Sequence, residues 1–75
     1  MNKINLTRWT IISGSDGRHV QDTETGKILA SYRPGTELEI ATRHFRGIPR
    51  PAVVSWELRF RRRAESVSIW LDFQI

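Results

Sequence analysis

Arginine is the residue type with the most chemistry to offer in this 75-residue chain, and its spacing is uneven. Four arginines fall in the five positions Arg59-Phe60-Arg61-Arg62-Arg63, and Arg43, Arg46 and Arg50 precede them. A guanidinium presents a planar fork of N–H donors that fits phosphate or carboxylate in two-point contact and stacks on flat rings; lysine does both less well. Residues 43–63 set these seven arginines against a single acid, Glu57, a local charge of +6. Residues 1–42 balance five bases against five acids, and Glu65 and Asp72 bring the total back to +4. Genomic codon bias can raise the ratio of ten Arg to two Lys, but it does not gather seven of the ten into one window.

Other side chains offer less. His19 and His44 are the only groups suited to acid–base work near neutral pH. They fall on different elements with no nucleophile at a supporting spacing, and each reads as an ordinary strand or turn histidine. Asp16, His19 and Asp22 form a hard-ligand set too loosely spaced to imply a metal. Gly14-Ser15-Asp16-Gly17 is a turn without the phosphate-loop pattern, and Ser13 and Ser15 lack a nucleophile-elbow context. The absence of cysteine removes disulfides, zinc–thiolate sites and thiol nucleophiles. No enzyme, cofactor or metal site is expected.

The elements that position the arginines read as strands. Val54, Trp56, Leu58 and Phe60 alternate with Ser55, Glu57, Arg59 and Arg61, and Val67, Ile69, Leu71, Phe73 and Ile75 alternate with Ser68, Trp70, Asp72 and Gln74. Matching their apolar faces places Phe60 opposite Val67, Leu58 opposite Ile69 and Trp56 opposite Leu71, across a four-residue loop at 62–65. A two-residue Arg-Arg turn is poor chemistry, because neither residue tolerates positive φ. The polar face then pairs Ser55 with Asp72, Glu57 with Trp70 and Arg59 with Ser68. Trp70 is an apolar ring on that polar face, with Arg59 diagonally across from it. It suits base stacking between phosphate contacts. Its plainer readings are a ring buried by the N-terminal strands and a cation–π support for Arg59. The tip arginines also read as charge that guards a sheet edge, and Arg46-Gly47-Ile48-Pro49-Arg50-Pro51 as a stiff connector.

Upstream, Arg8–Ser13 and Lys27–Arg33 are short strand candidates, and Arg18–Gln21 is short and ambiguous, with only Val20 clearly apolar. Gly14–Gly17, Asp22–Lys27 and Pro34-Gly35 supply the turns: Asp22 can bond the backbone two residues on, and Gly26 and Gly35 can take positive φ. Residues 36–46 are ambiguous. As a helix they have a capping box at Thr36 and Glu39 and a stripe of Leu38, Ala41 and Phe45. As a strand, Leu38, Ile40 and Thr42 alternate with Glu37, Glu39 and Arg43, which is the preferred reading.

The expected fold is therefore all-β, a small antiparallel meander closing as a barrel or packed sheet, with α+β and one short helix at 36–46 as the alternative. Residues 1–7 are expected to fray and 8–75 to form one small β domain. So small a core leaves little room for an active-site cleft. No stretch has the length of a membrane helix and the N-terminus has no apolar signal region, so the chain is expected to be intracellular (cytoplasmic) and to have no membrane partner. The leading functional expectation is a non-catalytic nucleic-acid-binding module. Its face comprises Arg43, Arg46, Arg50, Arg59, Arg61, Arg62, Arg63 and Trp70, and it takes DNA or RNA. The alternative is a small regulator or inhibitor, of the kind that viruses and mobile elements encode. It would use the same residues to dock on an acidic surface of a nucleic-acid-processing protein such as a polymerase or nuclease. Self-association as a homodimer is compatible with either.

Overall fold

A computed structural model describes residues 7–47 and 53–74. Six strands run in order: β1 (Trp9–Gly14), β2 (Gly17–Asp22), β3 (Ile28–Tyr32), β4 (Glu37–Arg46), β5 (Val53–Arg62) and β6 (Glu65–Gln74). They form two antiparallel three-stranded sheets, β1-β2-β3 and β4-β5-β6, and no closed barrel. The fold is all-β. Contacts divide the chain into two compact units, Thr7–Thr36 and the part from Glu37 onward. No helix among the described residues is long and apolar enough to cross a membrane. The expected frayed segment falls, but for Thr7, outside the described residues, as do Arg50 and its connector from Ile48 to Ala52.

In the first unit the turns carry the design. Asp22 is almost buried at the end of β2, and its Oδ1 accepts the N–H groups of Glu24 at 2.8 Å and Thr25 at 3.3 Å. The Gly26 N–H closes the same turn on the Asp22 carbonyl at 2.8 Å, with Gly26 at φ 77°. Arg8 reaches both Asp22 Oδ2 and Glu24 Oε2 at 3.1 Å. Burial pushes the Asp22 carboxyl up, but the two N–H bonds and the Arg8 charge outweigh it and hold the group below its ordinary range. Arg33-Pro34-Gly35-Thr36 is a type II turn: Thr36 N–H donates to the Arg33 carbonyl at 3.2 Å, and Gly35 takes the required positive φ of 86°.

The second unit is a meander of long strands centred on β5. Val54, Leu58 and Phe60 of β5, with Phe73 of β6, are its buried apolar side chains. Each contributes about 1.5–3 kcal/mol by leaving water. The β5–β6 register matches the sequence expectation at every predicted pair, including Phe60 with Val67 and Glu57 with Trp70. The loop does not. Pairing continues to Arg62 with Glu65, so the connection is the two-residue turn Arg63-Ala64. The turn is Arg-Ala rather than the Arg-Arg pair argued against from sequence, and Arg63 alone takes a positive φ, of 59°. The added Arg62–Glu65 pair offsets a backbone strain of roughly 1–2 kcal/mol.

Residues 36–46 contain no helix. Nine backbone pairs with β5 outweigh the local capping signal, as tertiary pairing commonly does. The expected alternation is also broken. Leu38 pairs with Phe60 and Ile40 with Arg59, so Glu39 is an extra, bulged residue. Leu38 therefore lies on the apolar face, whereas Ile40 and Thr42 lie on the other. From Ile40 onward the even-numbered residues share the face of Glu57 and Arg59, and Ala41, Arg43 and Phe45 share that of Leu58.

Candidate nucleic-acid interface

The polar face of β4-β5-β6 is built by register. Three residues from adjacent strands, His44, Ser55 and Asp72, lie in one row; Thr42, Glu57 and Trp70 lie in the next; Ile40, Arg59 and Ser68 in the third. Ser55 is completely buried and donates its hydroxyl to Asp72 Oδ1 at 2.6 Å. A small residue on the central strand lets its larger neighbours close above it. The His44 and Trp70 rings meet there, with centroids 5.1 Å apart and planes tilted by 39°.

Trp70 is 48 % exposed. It does have a guanidinium partner, but that partner is Arg46, with Cζ 5.4 Å from the ring centroid, rather than Arg59. The bulge at Glu39 supplies the reason: it sets the parity of β4 so that His44 and Arg46 emerge on the Trp70 face. Glu57 lies directly beside Trp70 on the central strand, and its Oε1 is 3.5 Å from His44 Nε2. That nitrogen is shielded from solvent and makes no hydrogen bond among the described residues.

The arginine window divides into three. Arg46, Arg59 and Arg61 belong to the polar face and are exposed. Arg63, also exposed, occupies the hairpin tip, where its carbonyl accepts the Arg61 Nε–H at 3.2 Å. Arg43 and Arg62 lie on the opposite, apolar face. The Arg43 guanidinium covers Phe45 at 5.2 Å and Trp56 at 5.9 Å, so it shields apolar rings at the sheet margin. Strand alternation alone separates Arg62 from Arg61. The single arginine face expected from sequence is thus a narrower set, and Arg50 lies outside the described residues.

His44 and Glu57 both flank Trp70. The β5–β6 register alone places Glu57 there, as expected from sequence, whereas His44 is placed only by pairing residues 36–46 against β5 with a one-residue bulge. In the N-terminal unit His19 bridges Asp16 Oδ2 at 3.1 Å and Ser31 Oγ at 2.8 Å. One neutral tautomer satisfies both contacts, with Nε2 donating to Asp16 and Nδ1 accepting from the Ser31 hydroxyl. This chain ties the Ser15-Asp16 turn to β3. Asp22 is engaged with Arg8 instead, and no cluster of three metal-ligating side chains occurs among the described residues.

No protein-family description, no curated protein and no solved structure matches this chain.

Proposed function

We propose that the chain is a non-catalytic nucleic-acid-binding module that works through the polar face of β4-β5-β6. The observation that carries this reading is the company Trp70 keeps: a half-exposed indole shares one sheet face with Arg46, Arg59 and Arg61, and Arg63 extends the charge at the tip. Arg59 and Arg61 are about 7 Å apart along β5, two residues on the same face. Guanidinium groups along a flat sheet neutralise successive phosphates, and the ring offers a surface that any base can stack on.

Mobility shift and tryptophan quenching with short single-stranded and duplex DNA and RNA, from about 50 to 300 mM salt, test the proposal. Binding should be steeply salt-dependent. Replacing Arg59, Arg61 and Arg63 together by Gln should abolish it at moderate salt without lowering the melting temperature. Survival of binding in that variant, or no binding of any form at the lowest salt, refutes the reading. An acidic protein surface is the second reading, favoured by the exposed Phe45 and Val67 that accompany Arg43 and Arg62 on the other face. A protein partner would then be retained from nuclease-treated lysate and lost on changing those four residues.

A further inference from the structure

Of the carboxylates on the polar face, Asp72 accepts the Ser55 hydroxyl and Glu37 lies opposite Arg61, whereas Glu57 has only a loose contact with His44. A carboxylate in the middle of an arginine face repels a polyanion. Its side chain is 29 % exposed, so it is largely withdrawn from water. Its cross-strand neighbours are Thr42 and Trp70, and its one ion-pair contact among the described residues, His44 Nε2 at 3.5 Å, is too long for a good hydrogen bond. A part-buried carboxylate without a protein hydrogen bond keeps lone pairs open to donors from water or from a ligand. Its place is also specific, being the direct cross-strand neighbour of Trp70, with Cβ atoms about 5 Å apart.

We infer that Trp70 and Glu57 together form a pocket for one unpaired guanine of a single-stranded nucleic acid. This rests on the nucleic-acid reading above and narrows it to a substrate class. The base stacks on the indole. Arg46, which now covers that ring, moves to the adjacent phosphate. A base stacked on Trp70 brings its Watson–Crick edge to the neighbouring strand, where the Glu57 carboxylate lies. Guanine is the base whose edge carries two adjacent donors, the ring N1–H and the 2-amino group, which match the two oxygens of a carboxylate. Adenine and cytosine place an acceptor beside their amino group, and uracil and thymine flank one N–H with two carbonyls. The acid that repels phosphate is therefore suited to reading that edge, in the manner by which proteins recognise splayed bases of single strands. A paired base in a duplex has this edge occupied and both its faces stacked.

The test is fluorescence anisotropy with short labelled all-thymine strands and the same strands carrying one central guanine, adenine or cytosine. Ribose versions and a matched duplex are run alongside. The guanine strand should bind about tenfold tighter than the others. Glu57→Gln should reduce that preference to within about twofold while leaving all-thymine binding intact or tighter. Trp70→Leu should weaken every single strand about tenfold or more, and Trp70→Phe should restore most of the loss. Equal binding of all four bases, or a guanine preference unchanged in Glu57→Gln, overturns the guanine pocket. Duplex bound as tightly as single strand, with no effect of Trp70→Leu, overturns stacking but leaves the broader proposal standing. No binding of any strand at about 50 mM salt removes both. The ribose and deoxyribose arms assign RNA or DNA as the source of the base.

Discussion

The division of the arginines between two faces predicts which of them a nucleic acid should feel, and salt dependence counts them. Each phosphate neutralised on a single strand contributes about −0.7 to the slope of log affinity against log salt. Arg59 and Arg61 lie on the face of Trp70, whereas Arg43 and Arg62 lie on the face of Leu58. The perturbations are two double variants of identical charge change: Arg59→Gln with Arg61→Gln, and Arg43→Gln with Arg62→Gln. The first should make the slope shallower by about 1.4, so a fourfold rise in salt costs about sevenfold less affinity than in the parent. The second should shift the slope by less than about 0.3, because its guanidinium groups do not reach the strand. Net charge is the same in both, so long-range attraction cancels in the comparison. The assay is anisotropy with one labelled single strand at four or five salt concentrations, with melting curves to confirm folding. Equal losses of slope in the two variants would refute the assignment of faces to functions, and a larger loss in the second would place the strand on the opposite side of the sheet.

The remaining predictions concern stability and its conflict with binding. Gly17 has a φ of 124°, and a Cβ there would lie 2.0 Å from the Tyr32 carbonyl oxygen, whereas Gly35, at φ 86°, has nothing within 4 Å. Gly35→Ala should therefore cost about 1–2 kcal/mol of conformational strain alone, and Gly17→Ala about 3 kcal/mol or more, read by urea unfolding; equal costs would mean the β2–β3 end yields freely. Asp22 has its folded-state carboxyl below the ordinary value of 3.8, so its contribution is complete above that value and fades as pH falls through the depressed one. Asp22→Asn should lower stability at neutral pH and flatten its acid dependence in thermal melts between pH 7 and pH 2. Arg63→Gly should raise stability by about 1 kcal/mol, since glycine takes positive φ without strain, while weakening nucleic-acid binding by one phosphate contact. A variant that gains neither stability nor salt tolerance would show that the tip arginine is unstrained and makes no contact with the strand.

Period-two alternation sufficed for β5 and β6, because β5 buries one face and a register slip would expose Leu58 and Phe60. Turn chemistry sufficed for Asp22–Gly26 and Pro34-Gly35, where local hydrogen bonds decide the backbone. The missed features are those in which one local rule yields to another. Arg63 breaks the positive-φ preference for the sake of ladder pairing. Glu39 breaks alternation, and a bulge leaves no mark in composition. From that second miss follow the others: with parity unknown beyond Glu39, neither the Arg46 contact with Trp70 nor the His44 contact with Glu57 is deducible. The clustering of arginines was legible, but their division between faces depended on Arg61 and Arg62 being consecutive in a strand that continues to the turn.

The bulge also acts as slack in the chain. Loss of Glu39 would remove the extra residue and leave Leu38 opposite Phe60 and Ile40 opposite Arg59, so Ile40 to Arg46 would keep their partners on β5. The half of the face contributed by His44 and Arg46 is thereby insulated from small changes of length in the segment before it. A single-residue deletion near residue 39 should then be tolerated, whereas one between Ala41 and Phe45 would exchange the side chains offered to a ligand with those that shield the apolar rings.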